Sequence, residues 1–150
     1  GMGTTLVLSI FRDSRIFYAH VGDSRLYRVR DGKLQCLTRD HSLIQDVLEA
    51  GIFADKAEAQ AAGVGENVLT RSLGLRVEVD VDVGEQHVEP GDLFMYCSDG
   101  LSTYVGDPEI ETILAQKDWT MEFKVDQLVN AALREGGVDN VTVVLARPRT

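Results

Sequence analysis

Cysteine, positive charge and long apolar runs are all scarce in this sequence. Only two cysteines, Cys36 and Cys97, occur in 150 residues. They lie far apart in apolar stretches and form neither a metal-type Cys pair nor a redox pair. They read as two buried free thiols in a reducing, cytoplasmic setting. No stretch approaches the ~20 apolar residues of a membrane-spanning helix, so no membrane partner is expected. Strand patterning, not a small-residue cleavage site, follows the apolar residues 4–11, so no cleavable signal is expected. Lys and Arg number 15 against 24 Asp and Glu, a formal net charge of −9. Nucleic acid needs a concentrated basic face, and none is present. His20, His41 and His87 show no metal-ligand spacing. Repeats, linkers and low-complexity segments are also absent.

What is present is a chain of strands and turns, long enough for one domain with its own core. Residues 4–11 are a near-continuous apolar run and predict a strand. Arg15–Val21 predicts a second, with Ile16, Tyr18 and His20 on one face and Phe17, Ala19 and Val21 on the other. Gly22-Asp23-Ser24 interrupts it, and Arg25–Arg30 predicts a third. Asp31-Gly32 is a type I′ turn signal leading into a fourth strand over 33–37. Four consecutive strands with short turns predict an antiparallel sheet.

The period then changes. Leu43, Ile44, Val47 and Leu48 recur at helical spacing before Gly51, a natural helix stop. Asp55-Lys56-Ala57-Glu58 resembles a capping box and opens a short helix ending near Gly63. Residues 39–66 thus form an excursion from the sheet, either a flap or two surface helices. His41 begins it, where it could approach a substrate. Residues 67–72 return to strand character. Val77, Val79, Val81 and Val83 alternate with Glu78, Asp80 and Asp82, which predicts a strand with its acids on a solvated face. Glu89-Pro90-Gly91-Asp92 suits a type II turn. A strand over 93–97 follows. Asp107-Pro108 supplies an N-cap and first-turn proline, and Thr120 caps another helix. That helix turns Phe123, Leu128, Val129, Ala132 and Leu133 to the core. Residues 141–146 close the chain as a strand. The fold class is α+β, a mostly antiparallel β-sheet with helices packed on it.

Three aspartates stand where a strand meets a glycine-marked turn: Asp23, Asp99 and Asp139. Hard divalent cations prefer such oxygen ligands. Carboxylates brought together without a cation would repel one another. The residues alone leave both readings open, a metal site and three separate turn aspartates. Ser24 and Ser98 read as turn hydrogen-bonding residues. Asn140 orients Asp139 through its amide or stabilises its own turn.

Five stretches in order carry a resemblance. They are Gly1-Met2-Gly3-Thr4-Thr5, His20-Val21-Gly22-Asp23-Ser24-Arg25, Leu37-Thr38-Arg39-Asp40-His41-Ser42, the strand ending in Ser98-Asp99-Gly100, and Gly136-Gly137-Val138-Asp139-Asn140. Together they resemble the metal-dependent protein phosphatases of type 2C, the PPM family, in their bacterial form. The resemblance implies a partial α-β-β-α sandwich. It implies Mg²⁺ or Mn²⁺ held by Asp99 and Asp139, with Asp23 near a third metal shared with Asp99. Gly100 and Asn140 would support the site. Phosphoserine and phosphothreonine of a protein substrate would be hydrolysed by a metal-activated water, without a covalent enzyme nucleophile.

The family pattern also includes an Asp-Gly-x-Gly-Gly motif whose Asp bridges two metals, and a phosphate-binding Arg before it. Neither occurs in these 150 residues. The resemblance therefore covers the C-terminal part of the domain. A chain entering the fold there is expected to have weak or no turnover alone. It is expected to expose apolar sheet surface, and to self-associate as a homodimer or strand-exchanged assembly. The alternative is a natural pseudo-phosphatase, a binding or regulatory module.

Overall fold

A computed structural model of the chain describes residues 2–65 and 67–148. Gly1, which heads the Gly-Met-Gly-Thr-Thr stretch, and Glu66, which ends the expected flap, lie outside the described residues, as do residues 149–150. In chain order the elements are β1 (Leu6–Arg12), β2 (Arg15–Val21), β3 (Arg25–Arg30), β4 (Lys33–Cys36), α1 (Leu43–Glu49), α2 (Lys56–Ala61), β5 (Asp82–His87), β6 (Leu93–Cys97), α3 (Asp99–Ser102), α4 (Asp107–Leu114), α5 (Met121–Arg134) and β7 (Val143–Ala146). No helix among the described residues is long and apolar enough to cross a membrane.

The strands make two antiparallel sheets, where the run of four consecutive strands predicted one. The first has the order β1-β2-β5 and the second β4-β3-β6-β7. β2 and β3 are consecutive but do not pair; the chain changes sheet at Gly22-Asp23-Ser24. The reason lies in β6, whose residues are apolar on both faces. Leu93, Met95 and Cys97 pack with Tyr27 and Val29 against Leu101, Val105, Ile110, Ile113, Leu114, Leu128, Ala131 and Ala132 of the helical side. Phe94 faces the other way, with Leu26, towards Ile16 and Val88. A strand buried on both faces belongs inside a sheet, so β6 takes the place beside β3. The layers are therefore helices, second sheet, first sheet.

The outer face of the first sheet has no cover among the described residues. Register aligns Leu8 with Ala19, Ile10 with Phe17 and Ala19 with Val83. Leu6, Leu8, Ile10, Phe17 and Val83 are all exposed there. This is the exposed apolar surface expected of a partial sandwich.

Several expectations need correction. Residues 67–72 form no strand, only single bridges of Ser42 with Leu69 and, just beyond, Thr4 with Leu73. The alternating stretch 77–83 is a strand only from Asp82 onward, and its inward side is the opposite one: Asp82 is half-buried and Val83 exposed. Pairing of His20 with Asp82 sets that register and turns the acid inward. The N-cap of α4 is Gly106, and Asp107 is its first residue. In α5, Phe123 and Leu133 are exposed while Lys124 is buried, its Nζ donating to the Leu114 carbonyl that ends α4 at 2.6 Å. Cys97 is buried, and burial pushes its thiol up to about 12. Cys36, on edge strand β4, is exposed.

Candidate metal centre

The three turn aspartates come to one end of the second sheet. Arg25 pairs with Cys97, so the turn holding Asp23 enters β3 where β6 exits towards Asp99. Cys97 also pairs with Val143, so the turn holding Asp139 enters β7 at the same end. Antiparallel pairing thus gathers residues 23, 99 and 139.

Asp23 and Asp99 line one cleft of about 30 Å³, together with Arg25, Asp40, Ser42 and Lys56. A single water needs roughly 10–15 Å³. The cleft therefore has room for a cation with a water or two. Burial, and next the Asp99 charge, pushes the Asp23 carboxyl above its usual range. A cation between them would relieve both effects. Their donor set is hard carboxylate oxygen, which fits Mg²⁺ or Mn²⁺.

Asp139 stands apart from this cleft. It is exposed, and its Oδ1 accepts the Asn140 backbone N–H at 2.7 Å. Asn140 acts here through its main chain, and among the described residues no side-chain hydrogen bond of its amide decides between the two roles open from sequence. Ser98 Oγ donates to the Asn140 carbonyl at 3.2 Å and accepts from the Thr142 N–H at 3.0 Å. Gly100 must lack a side chain, since a Cβ there would lie 2.2 Å from the Asn140 oxygen. Ser98 and Gly100 so hold the two turns together. Ser24 is likewise a turn residue, its Oγ 2.8 Å from Thr5 Oγ1.

Arg25 supplies a framework that sequence reasoning missed. Its Nε and Nη2 grip Asp40 at 2.8 and 2.7 Å. Its Nη1 donates to Tyr27 Oη at 2.8 Å, and Tyr27 Oη donates to Asp107 at 3.2 Å. The Gly-Asp-Ser-Arg and Thr-Arg-Asp-His stretches are thereby locked together beside the cleft. An Arg directly following a metal-type turn was the available signal.

Beneath the Asp23 turn lies a second cluster that spacing did not reveal. Ligand-type atoms of His20, His41 and Asp82 fall within 4.8 Å of one another. The two rings stack with centroids 4.7 Å apart. Proton positions decide against a metal here. Gly22 N–H donates to His41 Nδ1 at 3.1 Å, so the ring proton sits on Nε2. Nε2 faces Asp82 Oδ2 at 3.2 Å, with Arg71 Nη1 at 3.3 Å beside it. A metal on Nε2 would remove the ring's last proton and leave an imidazolate. Arg71 further occupies Asp82 Oδ1 at 2.6 Å. His20 Nε2 donates to the Arg39 carbonyl at 2.7 Å. The cluster is a hydrogen-bonded hub. His41 is fully buried in it, so the expectation that His41 could approach a substrate is not met. Burial lowers its pKa; the Asp82 bond opposes this, and Arg71 and His20 reinforce it.

No protein-family model matches the chain. A putative protein phosphatase 2C-type from Streptococcus pyogenes is 38% identical over 145 residues, covering 97% of this chain and 58% of that protein. The solved serine/threonine phosphatase of S. agalactiae superposes with a TM-score of 0.89 at 38% identity, covering 97% of this chain and 59% of its own. The catalytic domain of the serine/threonine phosphatase PstP, solved in complex with two manganese ions, superposes at 0.79 with 36% identity, covering 97% and 58%. The chain spans a little under three fifths of the length of the relatives it matches, consistent with the C-terminal part of their domain. In sequence and in fold, the chain matches part of the PPM-family, type 2C serine/threonine protein phosphatases.

Proposed function

We propose that the chain is part of a protein serine/threonine phosphatase domain that hydrolyses phosphoserine and phosphothreonine in phosphorylated proteins. The observation that carries this reading is the placement of Asp23 and Asp99 in one ion-sized cleft, with Asp139 at the same sheet end. In this reading Asp99 and Asp139 hold one Mg²⁺ or Mn²⁺, and Asp23 shares a further, weaker site with Asp99. When bound, the metals supply an activated water and offset the charge of the phosphoryl oxygens. The chain's own residues keep the site in shape: Gly100 and the Asn140 main chain let the Asp99 and Asp139 turns approach, Ser98 ties them, and Arg25 fixes Asp40. No side chain of the cleft is needed as a nucleophile. Ser42, Ile44, Lys56 and Asn67 border the cleft, which supports residues 39–66 as a flap beside the reacting phosphate. We place the protein in the cytoplasm, where free thiols stay reduced.

The whole domain would supply the metal-bridging Asp-Gly-x-Gly-Gly motif, and this chain alone would turn over weakly or not at all. The bare apolar face of the first sheet supports self-association of the isolated chain as a homodimer or by strand exchange. A second reading is a pseudo-phosphatase serving as a binding or regulatory module. An aryl phosphate assay with and without Mn²⁺ separates the two. It is run on this chain, on the chain extended by the segment its relatives carry, and on each with Asp99→Asn. The enzyme reading predicts manganese-dependent turnover in the extended protein, lost in the mutant. An extended protein that is folded and inert supports the binding module.

A further inference from the structure

We propose that His41, oriented by Asp82, is the positioning residue of the Asp23 turn, and so sets how tightly the Asp23–Asp99 cleft holds its cation. This rests on the phosphatase reading for its consequence, and on hydrogen-bond geometry for its mechanism.

The turn has little to hold it from within. Gly22 has φ of 103°, and a Cβ at that position would lie 2.4 Å from Thr5 Cγ2. No side chain can therefore be added there to brace the turn. His41 does the bracing from outside, and it does so twice. Its backbone N–H donates to the Gly22 carbonyl at 3.0 Å, and its Nδ1 accepts the Gly22 N–H at 3.1 Å. Both main-chain groups of the residue before Asp23 thus end on one residue. On the far side, Thr5 and Ser24 hydroxyls meet at 2.8 Å. Asp23 is fixed between two anchors.

The His41 anchor works in one tautomer only. Nδ1 accepts when Nε2 carries the proton; in the other tautomer two N–H groups would point at each other. Two groups compete for Nε2: Asp82 Oδ2 at 3.2 Å accepts its proton, whereas Arg71 Nη1 at 3.3 Å could donate only to a bare nitrogen. The Gly22 N–H on Nδ1 and the shorter 2.6 Å bond of Arg71 to Asp82 favour the Asp82 partner and the working form. Arg71 holds the other Asp82 oxygen at 2.6 Å and keeps it aimed. Asp82 is at the start of β5, where pairing with His20 pins its main chain. The relay therefore runs from a strand of the first sheet, through a buried imidazole, to the turn that feeds the second sheet. The same imidazole residue also closes the base of the 39–66 excursion, since its carbonyl accepts the Thr70 N–H at 2.9 Å. Distortion of that base is transmitted to Asp23 through one residue.

The test uses nitrogen-15 NMR of this chain together with Mn²⁺ titration. In the parent, His41 Nδ1 should resonate as an unprotonated acceptor and Nε2 as a protonated nitrogen. Asp82→Ala should erase that preference, shift the Gly22 and Asp23 amides, and weaken Mn²⁺ binding several-fold, less than the roughly 10- to 100-fold that follows loss of a direct hydrogen-bond partner of a metal ligand. Asp82→Asn keeps an oxygen acceptor for Nε2–H and should retain most of both signals. Val29→Ala, in the helical-side core, should lower stability while moving neither. A protonated Nδ1 in the parent overturns the proposal. So does an Asp82→Ala protein with unchanged Gly22 amide and Mn²⁺ affinity. Should Mn²⁺ bind no form of the chain, the metal reading of Asp23 and Asp99 fails, and the ring nitrogens and the Gly22 amide still decide whether His41 positions the turn.

Discussion

Ser98 Oγ donates a hydrogen bond to the main-chain carbonyl of Asn140 at 3.2 Å, joining the turn that presents Asp99 to the turn that presents Asp139. The same oxygen takes the Thr142 N–H at 3.0 Å, so one hydroxyl serves both a donor and an acceptor of the segment leading into β7. Ser98→Ala leaves both main-chain groups without this partner. A loss of about 1–2 kcal/mol is expected from two such bonds at a part-exposed site. Urea denaturation of the variant measures it. An unchanged midpoint would show that the two turns are held by other means.

Gly100→Ala is expected to be more severe. The added carbon would sit 2.2 Å from the Asn140 oxygen and 2.9 Å from its carbonyl carbon, both main-chain atoms. The backbone must move to admit it, at about 1–3 kcal/mol for overpacking of this kind. For a domain of this size that is roughly 3–10 °C in melting temperature. Calorimetry gives the number directly. A variant melting with the parent would mean the Asp99 and Asn140 segments are not in contact.

Arg25→Lys separates charge from geometry. The guanidinium holds both Asp40 oxygens and Tyr27 at once, with Arg25 and Asp40 side chains only 17% and 15% exposed. A lysine keeps the charge but reaches one of these acceptors well. A destabilisation of about 1–3 kcal/mol follows, since a partly buried carboxylate loses a partner. Equal stability of the lysine protein, measured in guanidinium chloride, would reduce the pair to simple charge attraction.

Arg30 and Asp92 make stability depend on acid. Asp92 is 1% exposed, and burial by itself would raise its pKa. Arg30 bonds at 2.9 and 2.8 Å and the Glu89 N–H at 2.9 Å outweigh that and hold the carboxyl below its ordinary value. The folded pKa is therefore lower than the unfolded one. Its stabilisation is fully present above the unfolded carboxylate value near 4, and is lost as pH falls through the folded value. Asp92→Asn should be less stable at neutral pH and show a flatter decline below about pH 4. Denaturation midpoints across pH 2–7 test this. Parallel acid limbs for parent and variant would remove Asp92 as the cause.

Much of the fold is legible in the sequence wherever one local rule dominates. Arg15–Val21 and Arg25–Arg30 match their strands end to end, and the apolar run 93–97 is β6. Asp31-Gly32 takes positive φ at both positions, and Thr120 Oγ1 accepts the Phe123 N–H as a cap. What period-2 patterning does not encode is the identity of a strand's neighbour. That is why β2 and β3 read as one sheet and stand in two. Asp82 was assigned to a solvated face because valines alternated with it. Pairing with His20 reversed the face, and only then did Asp82 meet His41 and Arg71. The hub joins positions 20, 41, 71 and 82, which no spacing rule connects. The Asp23–Asp99 relation was open from the residues alone and became specific through the resemblance, since strand exits that share a sheet end are visible only once the sheet order is known.

The central claim is that Asp23 and Asp99 form a divalent-cation site in this chain. Electron paramagnetic resonance of Mn²⁺ titrated into the parent, Asp99→Asn and Asp23→Asn proteins tests it most directly. Saturable loss of the free Mn²⁺ signal in the parent, weakened by either substitution, is the predicted result. Equal Mn²⁺ binding by all three proteins, or none by the folded parent, would contradict it.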